Sequence, residues 1–169
     1  CSLHDCDAPK AIEFFLESIR LNKLLNEREE IIRGLNGLGA AYSELSLYQS
    51  RINAFNQALE YSVNLNKPLL TVPVKLNILN LYLENAEFDL LHKELESFKK
   101  IIEKYDLIKQ IADDNLSILY TYHAASTQEK GALSKASQLL EQAKQLAIQS
   151  KNLGAQFFID QYIAKQLYL

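Results

Sequence analysis

One spacing recurs three times along the chain and limits the folds that are open to it. The same interval of twelve positions separates Gly39 from Arg51, Leu79 from Leu91 and Ala124 from Ala136. Each interval joins two stretches whose apolar residues follow three- and four-residue steps, which is the pattern of amphipathic helices. An interval kept three times indicates a repeated pair of helices, because a chance helical pattern would not preserve it.

The distance between successive pairs is long. Ala11 and Arg51 stand forty positions apart, Arg51 and Leu91 are again forty apart, and Leu91 and Ala136 are forty-five apart. Since the twelve-position step inside each pair is fixed, the residues that lengthen the period lie between the second helix of one unit and the first helix of the next. We expect helices about one turn longer than usual, with a further extension around residues 100–114.

Local signals give the helix boundaries. Asp7 and Pro9 precede the first apolar steps, as a capping residue and an early proline do at a helix start. Further helices are predicted at about 28–45, 48–65, 73–85, 87–104, 107–127, 132–150 and from about 153 to the C-terminus. The predicted fold is therefore all-α, an α-solenoid of antiparallel helix–turn–helix repeats with about eight helices. We assign residues 1–169 to one domain with units at about 8–25, 29–65, 68–104, 107–150 and 153–169.

The stretch Leu35-x-x-Leu38-Gly39-x-x-Tyr42, followed by Phe55 and Ala58, carries a resemblance to a known family. It resembles the tetratricopeptide repeat, although leucine replaces the usual tryptophan at position 35 and arginine replaces the usual alanine at position 51. Weaker copies of the pattern lie at Lys75, Ile78, Leu79, Tyr82, Leu91, Leu95 and Phe98, and at Tyr120, His123, Ala124, Thr127, Ala136, Leu140 and Ala143. The long period, against about 34 in the usual repeat, is similar to that of long-repeat members in bacterial signalling proteins.

The resemblance implies a groove that is lined by the first helix of each unit and binds a protein or an extended peptide. The corresponding positions are Arg33, Asn36, Ala40, Ser43, Glu44, Pro73, Leu76, Asn80, Leu83, Glu84, Ile118, Thr121, Ala125, Gln128, Glu129, Phe158, Gln161, Lys165 and Tyr168. Glu44, Glu84 and Glu129 occupy the same step of three units. A row of carboxylates would receive a basic or amide-rich peptide, and the alternative is that these acids only solvate helix ends.

Catalysis and several classes of ligand are not expected. The histidines at positions 4, 92 and 123 stand without a spaced nucleophile or acid, and there is no phosphate-binding glycine loop. Asp113-Asp114 has no further spaced acids, so we expect no metal and no cofactor. A net charge of −3 provides no basic surface for nucleic acid. No apolar run approaches the roughly 20 residues needed to span a bilayer, so we expect no membrane contact by this segment.

Cys1 and Cys6 are the only cysteines, and they flank His4 and Asp5. A zinc site would need ligands beyond this cluster, because structural zinc usually has four protein ligands. A local disulfide, a lipid-modified N-terminal cysteine and two ordinary thiols are the other interpretations that stay open.

Three functional hypotheses follow. The first is a non-catalytic binding module that forms the sensor or regulatory part of a larger bacterial signalling protein, in the cytoplasm or the periplasm. The second is a structural segment that assembles through its ends, because Phe157, Phe158 and Tyr162 crowd the last helix and favour self-association there. The third is a solenoid that senses a small molecule.

Overall fold

The turns between the helices share one backbone conformation, and its spacing sets the helix lengths. The computed structural model describes residues 8–167, with the backbone alone for residues 165–167. Seven of the described residues have a left-handed backbone, with φ between 46° and 77°, and they are Asn26, Ser46, Asn66, Ala86, Asp106, Gly131 and Lys151. The first five recur at every twentieth position, which is half of the repeat period.

Five of these residues close a helix in a Schellman turn, in which the next backbone N–H bonds to the carbonyl five residues earlier. The Leu47 N–H donates to the Tyr42 carbonyl at 3.0 Å, and the Glu87 N–H donates to the Tyr82 carbonyl at 2.8 Å. The bonds satisfy carbonyls that a helix end leaves without partners, and the left-handed residue reverses the chain. Except after Asp106, the next helix begins two residues later.

The described residues form eight α-helices and one short 3-10 helix. They are α1 Ala8–Leu25, α2 Arg28–Glu44, α3 Tyr48–Asn64, the 3-10 helix Pro68–Leu70, α4 Thr71–Glu84, α5 Phe88–Lys104, α6 Asp113–Glu129, α7 Leu133–Gln149 and α8 Leu153–Leu167. The boundaries predicted for α2, α3, α5 and α7 agree with these to within one residue at either end.

The start of α6 was predicted wrongly, at residue 107 instead of Asp113. Leu107 and Ile111 are four residues apart, as apolar residues on a helix would be, and both are buried. Both residues lie, however, in the non-helical turn segment that precedes α6. The helix begins only after Ala112, whose backbone is extended with ψ 148°. Asp113 and Asp114 then occupy the first turn, where the helix dipole favours negative charge.

The described residues divide into two compact units between Ile78 and Leu79, inside α4. In the N-terminal unit, α2 packs against both α1 and α3. Glycine at position 39 permits the second contact, because a Cβ there would lie 2.3 Å from the Phe55 ring. Arg51 is buried, with its guanidinium carbon 5.9 Å from the centre of the Phe55 ring. The close approach of α2 and α3 therefore depends on Phe55 seated on Gly39, and arginine at position 51 is accommodated beside that ring.

In the C-terminal unit, α6 packs against α5, α7 and α8. Ala124 and Ala136 lie in one buried cluster with Leu139, so small residues bring α6 and α7 together. A second cluster joins α7 to α8 through Ala143, Ala147, Ala155 and Ile159.

The residues that define the recurring twelve-position interval all prove to be packing residues. Leu79, Leu91 and Ala124 are fully buried, and Gly39, Arg51 and Ala136 are buried as well. The all-α fold is confirmed, and neighbouring helices pack within each unit as a solenoid-like arrangement requires. Within the described range, no helix combines the length and the apolar character that a bilayer-spanning helix needs.

Candidate binding surfaces

The predicted groove residues of α2 present a mainly polar row in the N-terminal unit. Arg33 is exposed and forms ion pairs with Glu29 and Glu30 of its own helix. Asn36 is half-buried, and its Oδ1 accepts a hydrogen bond from the Asn77 side-chain amide at 2.9 Å. The remaining members of the row are exposed Ala40, half-buried Ser43 and exposed Glu44.

Two predicted groove residues near the start of α4 differ in their exposure to solvent. Pro73 is exposed, whereas Leu76 is only 5% exposed and belongs to the core. Leu76 therefore packs beneath the surface and presents no side chain to a partner in this arrangement.

The end of α4, in the C-terminal unit, carries three predicted residues. The Asn80 amide donates a hydrogen bond to Glu84 Oε1 at 2.6 Å. Leu83 is half-buried and Glu84 is exposed. An amide, an aliphatic side chain and a carboxylate are thus close together on one turn of helix.

The predicted residues of α6 divide in the same way as those of α4. Thr121 is fully buried, and its hydroxyl donates to the Ser117 carbonyl at 2.9 Å. Ala125 is also buried, and Ile118 is half-buried. The polar groups within reach of a partner are the half-buried amide of Gln128 and the exposed carboxylate of Glu129.

Residues of α8 extend this polar end of α6 into a wider surface. The half-buried Phe158 ring meets the Tyr122 ring edge-on, with 5.6 Å between the centroids. The Tyr162 hydroxyl donates to Gln128 Oε1 at 3.4 Å. Burial, and then the negative charge of Glu129, raise the pKa of Tyr162 to about 12. We call Gln128, Glu129, Phe158, Gln161 and Tyr162 the α6–α8 surface.

Tyr162 is a residue that register alone did not select for this surface. It stands one helical turn after Phe158, so a step of four residues could have identified it. Gln161, another predicted groove residue, is exposed. The side chain of Lys165, and Tyr168 as a whole, lie outside the described residues.

The three glutamates of the predicted acidic row share a structural position. Glu44, Glu84 and Glu129 are the last residues of α2, α4 and α6, and none of these helices has a basic residue in its last turn. The carbonyl end of a helix carries partial negative charge, so a carboxylate there is disfavoured by about 0.3–1 kcal/mol. The position attracts cations, and each glutamate adds to that attraction.

A second feature of the C-terminal unit was not expected from the sequence. A cleft of about 320 Å³ lies between α5 and α6, with Lys99, Glu103, Asp106 and His123 among its lining residues. His123, a position of the third repeat copy, is half-buried, and its Nε2 lies 3.0 Å from Lys99 Nζ. Burial, and then the charge of Lys99, lower the pKa of His123 to about 4. The ring is therefore neutral near pH 7, and its Nε2 accepts a hydrogen bond from the Lys99 ammonium.

In residues 8–164, no group of three or more histidine, cysteine, aspartate or glutamate side chains is placed to hold a metal ion. Asp114 instead accepts a hydrogen bond from the Asn152 amide at 3.0 Å. Cys1, His4 and Cys6 lie outside the described residues, so the interpretations of that cluster stay predictions. No protein-family model matches the chain, and no curated protein matches it.

Proposed function

We propose that this chain is a non-catalytic module that binds an extended segment of peptide or protein rich in basic or amide side chains. The observation that carries the proposal is the placement of Glu44, Glu84 and Glu129 as the last residues of their helices. A cation docked beside any of these carboxylates would neutralise the side chain and would also interact favourably with the negative end of the helix dipole.

The α6–α8 surface supports the proposal in the C-terminal unit because it adds other contacts to that charge. The Gln128 side chain contributes an amide, whose Oε1 also accepts a hydrogen bond from the Tyr162 hydroxyl. The half-buried Phe158 ring provides an aromatic contact beside that charge, and aromatic groups are enriched where proteins bind partners. Successive side chains of an extended peptide point to opposite sides. One residue could therefore contact the Glu129 carboxylate while its neighbour contacts the Phe158 ring.

In the N-terminal unit, the row on α2 supports a second stretch of the same chemistry. Asn36 and Ser43 offer hydrogen-bonding groups, and Glu44 offers the terminal carboxylate. Arg33 is engaged with acids of its own helix, which leaves the row without a competing net positive charge.

A binding measurement with defined peptide pools tests the proposal. Fluorescent ten-residue pools with lysine or arginine at alternate positions are titrated with the whole chain, and anisotropy is recorded at low and high salt. We expect the basic pools to bind and the matched aspartate or glutamate pools not to bind. Glu129→Gln should weaken binding several-fold, whereas Glu141→Gln, an exposed acid on α7, should not. Equal loss for both variants would mean that only the net charge attracts the peptide, and the proposal would fail.

Self-association is a second candidate function, favoured by exposed apolar side chains on α8. Leu153 is 78% exposed and Phe157 is 64% exposed. Sedimentation velocity over a range of concentrations tests this idea. Phe157→Glu should abolish any dimer, while Asp160→Ala, on the same helix, should leave it unchanged.

We also propose, from the long period alone, that the module serves as the regulatory part of a larger bacterial signalling protein. A native transcript that joins it to a membrane span with a catalytic domain, or to a DNA-binding domain, would support this role. A native protein without any such partner domain would count against it.

A further inference from the structure

The cleft between α5 and α6 has an apolar floor. Leu95, Ile102 and Leu119 line it, and all three are buried. Ile108, which is 39% exposed, stands at its edge. The volume of about 320 Å³ lies near the lower limit of small-molecule sites, roughly 300–1,000 Å³. A ligand that fills it is therefore small and carries one compact apolar group.

Positive charge in the lining comes from Lys99 of α5. Its ammonium donates to Glu96 Oε1 at 3.0 Å and to His123 Nε2 at 3.0 Å. A lysine ammonium has three N–H donors, so these contacts leave one donor for a ligand, counting the described residues. Because Nε2 accepts from lysine, the neutral His123 ring carries its proton on Nδ1 and can donate a further hydrogen bond.

Negative charge in the lining comes from Glu103 of α5 and from Asp106 in the turn that follows. Neither carboxylate forms an ion pair within the described part of the chain. Glu103 follows Lys99 by four residues, so their backbones are about 6 Å apart along the helix axis. Lysine pairs with Glu96 on the preceding turn instead, and the two signs of charge stay separate.

This pattern discriminates among the small molecules that could fill the cleft. A simple hydrophobic acid would meet Lys99 favourably but would be repelled by the two carboxylates, and a simple hydrophobic amine would meet the opposite conflict. An α-amino acid carries a carboxylate, an ammonium and a side chain on one carbon atom. We propose that the cleft binds a free α-amino acid with a leucine- to phenylalanine-sized apolar side chain.

In this arrangement Lys99 and the Nδ1–H of His123 bind the ligand carboxylate. Glu103 and Asp106 bind the ammonium, and the side chain rests on Leu95, Ile102 and Leu119. The site differs from the peptide surfaces proposed above, since its residues from α6 are Leu119, Tyr120 and His123 and none belongs to the α6–α8 surface. The two proposals therefore succeed or fail independently.

The test compares L-leucine with two analogues that each lack one charge, 4-methylpentanoate and isopentylamine. The whole chain, labelled with ¹⁵N, is titrated up to about 20 mM ligand, a range set by the weak affinity of so small a molecule. We expect amide signals of α5 and α6 to shift with leucine, and both analogues to bind at least tenfold more weakly. Equal binding of either analogue would overturn the assignment to an amino acid, and so would the absence of any saturable shift.

Variants locate the site. Lys99→Gln and Glu103→Gln should each weaken leucine binding about tenfold, whereas Lys100→Gln, an exposed neighbour that does not line the cleft, should bind as the native chain does. Ile108→Trp fills the cleft from its exposed edge and should abolish binding while the thermal unfolding temperature is retained. Leucine binding that survives both Lys99→Gln and Ile108→Trp would place the ligand elsewhere and refute the proposal.

Discussion

The contact of Gly39 with Phe55 allows a quantitative test of the packing that positions α2 and its polar row. In Gly39→Ala, the new Cβ would lie 2.3, 2.6 and 2.8 Å from three atoms of the Phe55 ring. Real Cβ atoms do not approach so closely, so either the ring or the helix must move. Phe55 is fully buried, at 0% exposure.

Two opposing terms set the expected size of the effect. Replacing glycine by alanine inside a helix stabilises it by about 0.8–1 kcal/mol. Overpacking a dense core costs about 1–3 kcal/mol, and three simultaneous clashes with a ring at 0% exposure put this case at the upper end. The net expectation is a loss of about 2 kcal/mol, which lowers Tm by roughly 4–8 °C in a chain of this size.

Thermal and urea unfolding followed by far-UV circular dichroism measure the effect. Gly154→Ala, also in a helix, is the matched control, because its Cβ meets only the tip of the Asn152 side chain, at 3.2 Å, and it should leave stability unchanged or raise it by up to about 1 kcal/mol. Adding Phe55→Leu to Gly39→Ala should cost less than the sum of the two single variants, since the clash disappears with the ring. A Gly39→Ala protein as stable as the native chain would refute the close contact between α2 and α3.

Three further expectations concern single residues. Ala86 has a left-handed backbone with φ 55°, so Ala86→Gly should raise the free energy of unfolding by about 0.5–1 kcal/mol; unchanged or lower stability in urea would contradict this strain. The pKa of His123 is lowered from 6.5 to about 4 on folding, so the unfolded state takes up the proton first and stability falls as pH drops from 6.5 toward 4. The stability advantage of the native chain over His123→Gln should therefore shrink by about 1–2 kcal/mol over that window, after allowing for solvent screening of a half-buried group, and a constant difference would disprove the shift. Glu129→Gln should lower the pKa of Tyr162 in absorbance titrations at 295 nm but keep it above 10, because burial is the larger cause; a shift of equal size in Glu141→Gln would show that the effect is not local.

Much of the fold could be predicted from the sequence because the helices obey local rules. Asparagine and aspartate tolerate the left-handed conformation, so the residue types at Asn26, Asn66 and Asp106 suit the turns in which they lie. Ser46 and Ala86 have no such preference, and only the regular spacing of the turns identifies them. The start of α6 was missed because the apolar step from Leu107 to Ile111 is the same in a helix and in the buried turns observed.

The candidate sites were less predictable because the repeat register indicates which face of a helix a residue lies on, but not how deeply that residue is buried. Thr121 and Glu129 share one helix, yet one is fully buried and the other exposed, since burial depends on what the neighbouring helices place against them. The cleft between α5 and α6 could not be predicted from local sequence patterns. Lys99 and His123 lie on different helices, and only the packing of α5 against α6 brings their nitrogen atoms to 3.0 Å.

Among the described helices, the glutamates of the acidic row end only first helices of the units, and this distribution differs from the one expected if they only solvate helix ends. If solvation were the reason, the second helices of the units would end in acids as often as the first helices do. They end instead at Leu25, Asn64, Lys104 and Gln149, and only α2, α4 and α6 end in glutamate. Lysine at the end of α5 follows the preference of the helix dipole, and the three glutamates oppose it. We propose that these three charges, which oppose the preference of the helix dipole, contribute to binding a cationic partner.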